Sequence, residues 1–156
     1  MSLDSDLNEL ARIPIFAALE YEARRLLAFS SETRILRAGD VLLRKGERSD
    51  CGYLLVNGTL ELTPNNKAVE SKIIRPTVLI GELALLTETE RPSTVTAVSP
   101  STVLKISRNL FLRVLREHPR SASQARNLIE SRLRSYARDL GETRAAHFLD
   151  PKEFES

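Results

Sequence analysis

The stretch that decides the fold is IGELALL at residues 80–86, together with Arg91 and the PSTV that follows it at residues 92–95. IGELALL has no alternation of hydrophobic and polar residues, so it predicts about one and a half helical turns that begin at Gly81. A glycine at the start of a helix lets a ligand approach the backbone N–H groups that the first turn leaves without acceptors. The loop after the helix is long enough to return the Arg91 guanidinium to the helix start. The stretch therefore predicts a phosphate cradle.

The residues on both sides of this stretch, from 33 to 107, have a hydrophobic period of two and the turn signals of short antiparallel strands. Asn57-Gly58 between two apolar runs predicts a hairpin, because a type I′ turn requires positive φ at both central residues. The zone is therefore expected to be an all-β sandwich or barrel. Its predicted strands are residues 33–37, 41–44, 52–56, 59–63, 72–74, 94–98 and 102–106.

Helical patterns precede and follow the β zone. Pro14 interrupts the first pattern, so two short helices are expected there. After the zone, residues 109–117 and 121–140 are expected to be helical, and Gly141 suits the C′ cap of the second helix. The predicted organisation is a helical segment at 1–30, a β-roll at 31–108, C-terminal helices at 109–141 and a poorly ordered tail at 142–156.

The composition excludes several kinds of site. The chain has 156 residues, 42% of them hydrophobic and 28% charged, with a formal net charge of +2, which is typical of one soluble globular domain. Cys51 is the single cysteine, so neither an intramolecular disulfide nor a cysteine-based zinc site is expected, and a reducing cytoplasm is the expected compartment. The two histidines, His118 and His147, lack a ligand-like spacing. From these cysteine and histidine counts we expect no metal site. No apolar run reaches the length of about 20 residues that spans a bilayer, so we expect no membrane association either.

Basic residues are concentrated in the C-terminal third of the chain. Between residues 105 and 144, Lys105 and nine arginines stand against four acidic residues. Such a run is produced either by a nucleic-acid surface or by a solvated helix face, and the second is the commoner cause. The sequence therefore predicts no nucleic-acid partner for this chain.

The stretch around Gly81 and Arg91 resembles the cyclic-nucleotide-binding domain family, found in catabolite activator proteins and in regulatory subunits of cyclic-AMP-dependent kinase. The resemblance covers residues 13–140 and implies an α+β fold. That fold is a double-stranded β-helix, or jelly-roll-like β-roll, with N-terminal helices, a short phosphate-binding helix inside the roll and C-terminal helices. The residues that carry the resemblance are IGELALL at 80–86, RPSTV at 91–95, IFAAL at 15–19, Gly39-Asp40, Gly46-Glu47 and YLLVNG at 53–58.

The resemblance implies how the cradle would bind cAMP or cGMP. Arg91 would bind the cyclic phosphate through a charge-assisted contact, which contributes about 1.5 to 3 kcal/mol. Glu82 would accept a hydrogen bond from the ribose 2′-hydroxyl, since a carboxylate can only accept. Backbone amides of Gly81, Leu83 and Ala84 would complete the cradle. The alternative for Glu82 and Arg91 is an ion pair with each other and no ligand.

Pro92 departs from the family pattern. The family commonly uses the N–H of the residue after the arginine as a phosphate donor, and proline has none. One lost donor costs on the order of 1 kcal/mol, about fivefold in affinity. Ser93 or Thr94 can compensate by hydroxyl or amide, whereas the loop acids (Glu88 and Glu90) would oppose an anion if they folded inward. Members selective for cyclic GMP often carry Thr after the arginine, so Pro92 favours cyclic AMP.

The resemblance also implies that the long C-terminal helix covers the bound base. Arg132 and Tyr136 lie one turn apart on it, so both can face the pocket. Tyr136 suits a dimer seam or the core equally well, and residues 121–140 are the expected homodimer interface. A ligand that contacts both the roll and this helix would act as a switch.

The sequence favours a non-catalytic cyclic-nucleotide sensor that needs no cofactor over three other functions. A cupin-type metalloenzyme requires two or three histidines on neighbouring strands, and the strand zone has none. A DNA-binding regulator requires a further domain, and only a short tail follows Gly141. The chain is therefore expected to be a sensor that stands alone or the sensor half of a longer transcription regulator or channel. A degenerate β-roll that serves as an interaction module without nucleotide binding stays open.

Overall fold

The structure, a computed structural model, describes residues 3–64 and 70–140, and for Leu133 and residues 135–140 it describes the backbone alone. No helix in this part of the chain is long and apolar enough to cross a membrane. The elements, in chain order, are α1 (Leu3–Leu10), α2 (Pro14–Ala17), α3 (Tyr21–Ser30), β1 (Glu32–Leu36), β2 (Val41–Leu43), β3 (Cys51–Asn57), β4 (Leu60–Thr63), β5 (Lys72–Ile74), β6 (Val78–Ile80), a 3-10 helix (Leu83–Leu85), β7 (Thr94–Ala97), β8 (Ser101–Ser107), α4 (Arg108–Glu117) and α5 (Pro119–Leu140).

The eight strands of the described residues form two antiparallel sheets of four strands each. The first sheet has the order β1-β8-β3-β6, and the second has the order β2-β7-β4-β5. Apart from β4 and β5, strands that follow one another along the chain lie in different sheets. The chain therefore winds between the sheets as a β-roll, with helices before and after it, and the predicted α+β double-stranded β-helix is confirmed.

Asn57-Gly58 connects the two sheets and does not close a hairpin. β3 pairs with β6 and β8 in the first sheet, whereas β4 pairs with β5 and β7 in the second. Gly58 has a φ of +100°, but no non-glycine residue in the described ranges has a positive φ, so the predicted type I′ turn is wrong. A Cβ on Gly58 would lie 2.2 Å from Ser101 Oγ. The glycine is needed because the chain passes close to the start of β8.

Two further elements differ from the prediction. The N-terminal pattern forms three helices where two were expected, because Pro14 begins the short helix α2 at a position that needs no N–H donor. The strand β6 is absent from the prediction, since its three residues, the last of which begins IGELALL, are too few to show an alternation. It is β6 that holds Gly81 beside β3.

Side chains of β8 alternate between two hydrophobic clusters. Val103 lies in the interior of the roll, whereas Leu104 and Ile106 pack against the helices on the outer face of the first sheet. In that outer cluster the rings of Phe16 and Phe111 meet edge to face, with their centroids 6.1 Å apart. This packing places α4 and α5 against the sheet that carries β3 and β6.

Candidate cyclic-nucleotide site

The backbone at Gly81 forms the predicted short helix after β6. Gly81 has a φ of +82°, and the Ala84 N–H donates to its carbonyl oxygen at 3.1 Å, which closes a 3-10 helix. The Ala84 amide predicted for the cradle thus has an acceptor within the helix. The amides that a helix of this kind leaves without internal acceptors are those of Glu82 and Leu83.

Arg91 lies over Gly81 and is 5% exposed. Its Nη2 donates to the Cys51 carbonyl oxygen at 2.7 Å and lies 3.6 Å from the Cys51 sulfur. Its Nη1 would be 2.6 Å from a Cβ at position 81, so only glycine leaves room for the guanidinium. None of the ion pairs within the described residues includes Arg91. A buried cation with a carbonyl as its partner is costly, and an anion bound beside it removes that cost.

The loop before Arg91 is fastened to the segment between β2 and β3. The Arg91 N–H donates to the Glu47 carbonyl oxygen at 2.8 Å, and the Gly46 N–H donates to the Arg91 carbonyl oxygen at 2.8 Å. Glu88 points outward, where its Oε1 accepts from Arg48 Nη1 at 3.0 Å on the surface. This acidic side chain therefore does not fold into the cradle.

Glu82 is paired with α5 and not with Arg91. Its Oε2 lies 3.1 Å from Arg132 Nε, so the alternative ion pair between Glu82 and Arg91 does not form in the described part of the chain. Its Oε1 is buried and has no hydrogen-bond partner there. Burial raises the pKa of the Glu82 carboxyl above its ordinary value of 4.5, and the charge of Arg132 offsets part of this rise. The site thus contains a buried acceptor without a donor.

The C-terminal helix reaches the cradle through Arg132. The half-buried guanidinium of Arg132 faces Glu82, as the helical spacing predicts for a residue that covers the pocket. The side chain of Tyr136 lies outside the described residues, as do those of Leu133, Ser135 and residues 137–140 in the predicted dimer interface at 121–140. Base stacking by Tyr136 and the homodimer therefore stay predictions.

Comparison with known proteins identifies the family. The family described as cyclic nucleotide-binding domain matches residues 33–118, more than half of the chain. This chain belongs to the cyclic nucleotide-binding domain family. The recognition based on IGELALL and Arg91 is confirmed, and such a domain is a non-catalytic module.

Relatives of this cyclic nucleotide-binding domain include single modules and parts of long chains. A cyclic nucleotide-binding-like protein from Brucella abortus is 34% identical, with a TM-score of 0.66 over 72% of this chain and 99% of its own. Catabolite activator protein of Thermus thermophilus is 26% identical, with a TM-score of 0.67 over 83% of this chain and 62% of its own. Lysophospholipase nte1 of Aspergillus fumigatus is 35% identical over 109 residues, 68% of this chain. The match spans only 7% of the length of that lysophospholipase.

The three residues after Arg91 differ in exposure and in hydrogen bonding. Pro92 is exposed, and Ser93 is buried directly after it. The Thr94 hydroxyl oxygen already accepts the Lys45 N–H at 3.1 Å, which fastens β7 to the neighbouring loop. Ser93 is therefore the better candidate to replace the donor that Pro92 lacks.

Cys51 takes part in the site through its backbone. Its carbonyl oxygen accepts from Arg91, and burial raises the pKa of its thiol. The described residues contain no group of three or more His, Cys, Asp or Glu side chains that could hold a metal ion. Sequence reasoning missed the contact between Arg91 and the Cys51 carbonyl oxygen, because a backbone carbonyl has no residue-type signature.

Arg108 is the second residue that sequence reasoning missed. Its Nε donates to the Ala84 carbonyl oxygen at 2.9 Å, and its Nη2 donates to the Ser49 carbonyl oxygen. Its backbone N–H donates to the Asp50 carbonyl oxygen at 2.8 Å. Arg108 thus ties the first turn of α4 to the phosphate cradle. In the sequence it is one member of a run of arginines, and nothing sets it apart.

The raised pKa of Glu82 predicts a pH dependence of stability. The Glu82 carboxyl group holds its proton more tightly in the folded protein than in the unfolded chain. The protonated carboxyl therefore stabilises the fold below the unfolded pKa, and this stabilisation is lost as pH rises through the folded pKa. The free energy of unfolding of the wild type relative to Glu82→Gln is expected to fall with rising pH above ~4.5. Urea unfolding of both proteins from pH ~4 to ~8 measures this, with the exposed Glu22→Gln as the matched control. If the free energy of unfolding of the wild type relative to Glu82→Gln rises with pH, the raised pKa of Glu82 is contradicted.

Proposed function

We propose that this domain binds a cyclic nucleotide, cAMP or cGMP, through the cradle formed by Gly81, Glu82 and Arg91. The observation that carries the proposal is the buried Arg91 guanidinium, which has a backbone carbonyl and a thiol as its partners among the described residues. A cyclic phosphate has one negative charge and two non-bridging oxygens, which suit the forked N–H donors of a guanidinium.

The second carboxylate oxygen of Glu82 favours a ribonucleotide over inorganic phosphate. Glu82 Oε1 is a buried acceptor without a donor, and such an atom costs free energy until a donor reaches it. A ribose 2′-hydroxyl can donate a hydrogen bond to this atom. In this proposal Glu82 recognises the ribose and Arg91 recognises the phosphate.

The signal leaves the cradle through the C-terminal helices. Arg132 joins α5 to Glu82, and Arg108 joins α4 to the carbonyl of Ala84. A ligand that changes the position of Glu82 or of the 3-10 helix changes these contacts, so it shifts the population of arrangements of α4 and α5. The catabolite activator protein and the lysophospholipase among the relatives suit a regulatory module within a longer protein.

Isothermal titration calorimetry with cAMP and cGMP tests the proposal. We expect a dissociation constant in the micromolar range or tighter, about −8 kcal/mol of binding free energy, with cAMP preferred because of Pro92. Loss of the 2′-hydroxyl leaves Glu82 Oε1 without its donor, so 2′-deoxy-cAMP is expected to bind at least about fivefold more weakly. The open-ring 5′-AMP is the control for the cyclic phosphate. No heat with either cyclic nucleotide at millimolar concentration overturns the proposal and favours an interaction module without nucleotide.

A further inference from the structure

A second polar concavity lies on the opposite flank of the first sheet from the phosphate cradle. The cradle adjoins β3 and β6, whereas this groove adjoins β1 and β8. It has a volume of about 490 Å³, within the range of about 300 to 1,000 Å³ that ligand clefts have. Its walls come from the end of α3, the paired ends of β1 and β8, and the outer face of α4. We call it the α4 groove, and its cationic lining is Lys105, Arg113 and Arg116.

The charge of the α4 groove is positive. Arg113 and Arg116 are exposed and lie one turn apart on α4, on the side that faces away from the hydrophobic cluster. Lys105 projects from β8, and its Cα partner on β1 is Glu32. Glu32 is the acidic residue of the lining, and its Oε1 accepts from Arg34 Nε at 3.2 Å. The lining thus has three cationic side chains and one carboxylate, and that carboxylate is already paired with Arg34.

The rest of the α4 groove suits a peptide. Ser30 and Asn109 offer neutral hydrogen-bonding groups, and Leu110 adds an apolar contact. Phe29, directly before the lining residue Ser30 in the chain, is 77% exposed. Within the described residues β1 pairs with β8 alone, so its other backbone edge has no strand partner there.

We propose that the α4 groove binds an extended acidic segment of a partner protein. The carboxylates of such a segment pair with Lys105, Arg113 and Arg116, an apolar neighbour packs on Phe29 or Leu110, and its backbone follows the open edge of β1. A bilayer is flat and does not enter a concave groove. A nucleic-acid strand carries a phosphate at every step and is repelled by Glu32. This proposal does not depend on nucleotide binding, because no groove residue belongs to the cradle.

Fluorescence anisotropy with a fluorescein-labelled hexapeptide of glutamate and leucine, ELEELE, tests the proposal at low ionic strength. The test variant is the double substitution Arg113→Glu and Arg116→Glu. The matched control is Arg120→Glu and Arg126→Glu, which changes the net charge equally at two exposed positions of α5. We expect the groove variant to bind the peptide at least about tenfold more weakly, whereas the control changes affinity less than about twofold. Thermal unfolding of both variants shows whether each is folded.

Any of the following results overturns the proposal. Equal losses in both variants indicate general attraction to a basic protein, and no binding of the peptide at about 1 mM rules out the docking site. Stronger binding to an oligothymidylate, or to vesicles of phosphatidylcholine and phosphatidylserine, with the same loss in the groove variant, assigns the surface to a different partner. If the groove variant fails to fold, Lys105→Gln with the control Lys72→Gln makes the same comparison, since Lys72 is exposed on β5. An equal effect of these two lysines is then the overturning result.

Discussion

Replacement of Arg91 by alanine is expected to weaken the binding of cAMP by about 10-fold to 100-fold, since a charge-assisted hydrogen bond contributes about 1.5 to 3 kcal/mol. The guanidinium is buried beside Gly81, where solvent does not screen its attraction to a phosphate. Arg91→Lys keeps the charge but loses the fork of donors, so its affinity is expected to lie between those of the wild type and Arg91→Ala. Isothermal titration of the three proteins with cAMP measures the series.

The control for this series separates lost recognition from lost folding. In Arg91→Ala the Cys51 carbonyl oxygen loses its donor, which itself reduces stability by about 1 to 3 kcal/mol. Urea unfolding therefore accompanies each titration, at a temperature where every variant is folded. Arg37→Ala removes an exposed arginine of the same β-roll and is expected to bind cAMP like the wild type. Wild-type affinity in a folded Arg91→Ala variant contradicts the role of Arg91.

The β-roll could be predicted because the hydrophobic alternation along its strands matches the faces that the side chains occupy in the structure. The alternation along β8 separates Val103 from Leu104 and Ile106, and the structure places these residues in different clusters. Such a pattern tells which side chains share a face, but it does not tell which sheet a strand joins. This is why Asn57-Gly58 was interpreted as a hairpin, although the chain passes there from the first sheet to the second.

The same distinction applies to the candidate site. The sequence indicates Arg91 because Gly81 and the apolar run after it predict a short helix with a returning loop, and it indicates Glu82 through the family resemblance. Their partners were not all found, because Arg91 binds a backbone carbonyl and Arg108 reaches the cradle from the start of another helix. Arg132 was found from helical spacing, but its ion pair with Glu82 depends on how α5 packs against the first sheet. Long-range packing decides these contacts, and periodicity carries no information on it.

Substitution of Gly81 by alanine is expected to weaken cAMP binding by at least about tenfold, whereas the same substitution at Gly39 leaves the affinity unchanged. Both glycines have a positive φ, +82° at Gly81 and +95° at Gly39. A Cβ in this conformation costs roughly 1 to 2 kcal/mol, so both variants are expected to lose stability from backbone strain. Only at Gly81 does the new Cβ meet the site, 2.6 Å from Arg91 Nη1 and 3.4 Å from the Cys51 carbonyl oxygen. At Gly39 nothing lies within 4 Å of it.

The pair of glycine variants therefore separates strain from displacement of the arginine. Backbone strain is common to both, so an equal loss of affinity in Gly39→Ala and Gly81→Ala would mean that the roll is merely loosened. A loss confined to Gly81→Ala means that Arg91 has moved away from the phosphate, because the guanidinium is the nearest group to the new methyl. Urea unfolding of both variants measures the strain, and titration with cAMP measures the displacement. If Gly81→Ala binds cAMP like Gly39→Ala, the guanidinium does not hold the phosphate over Gly81.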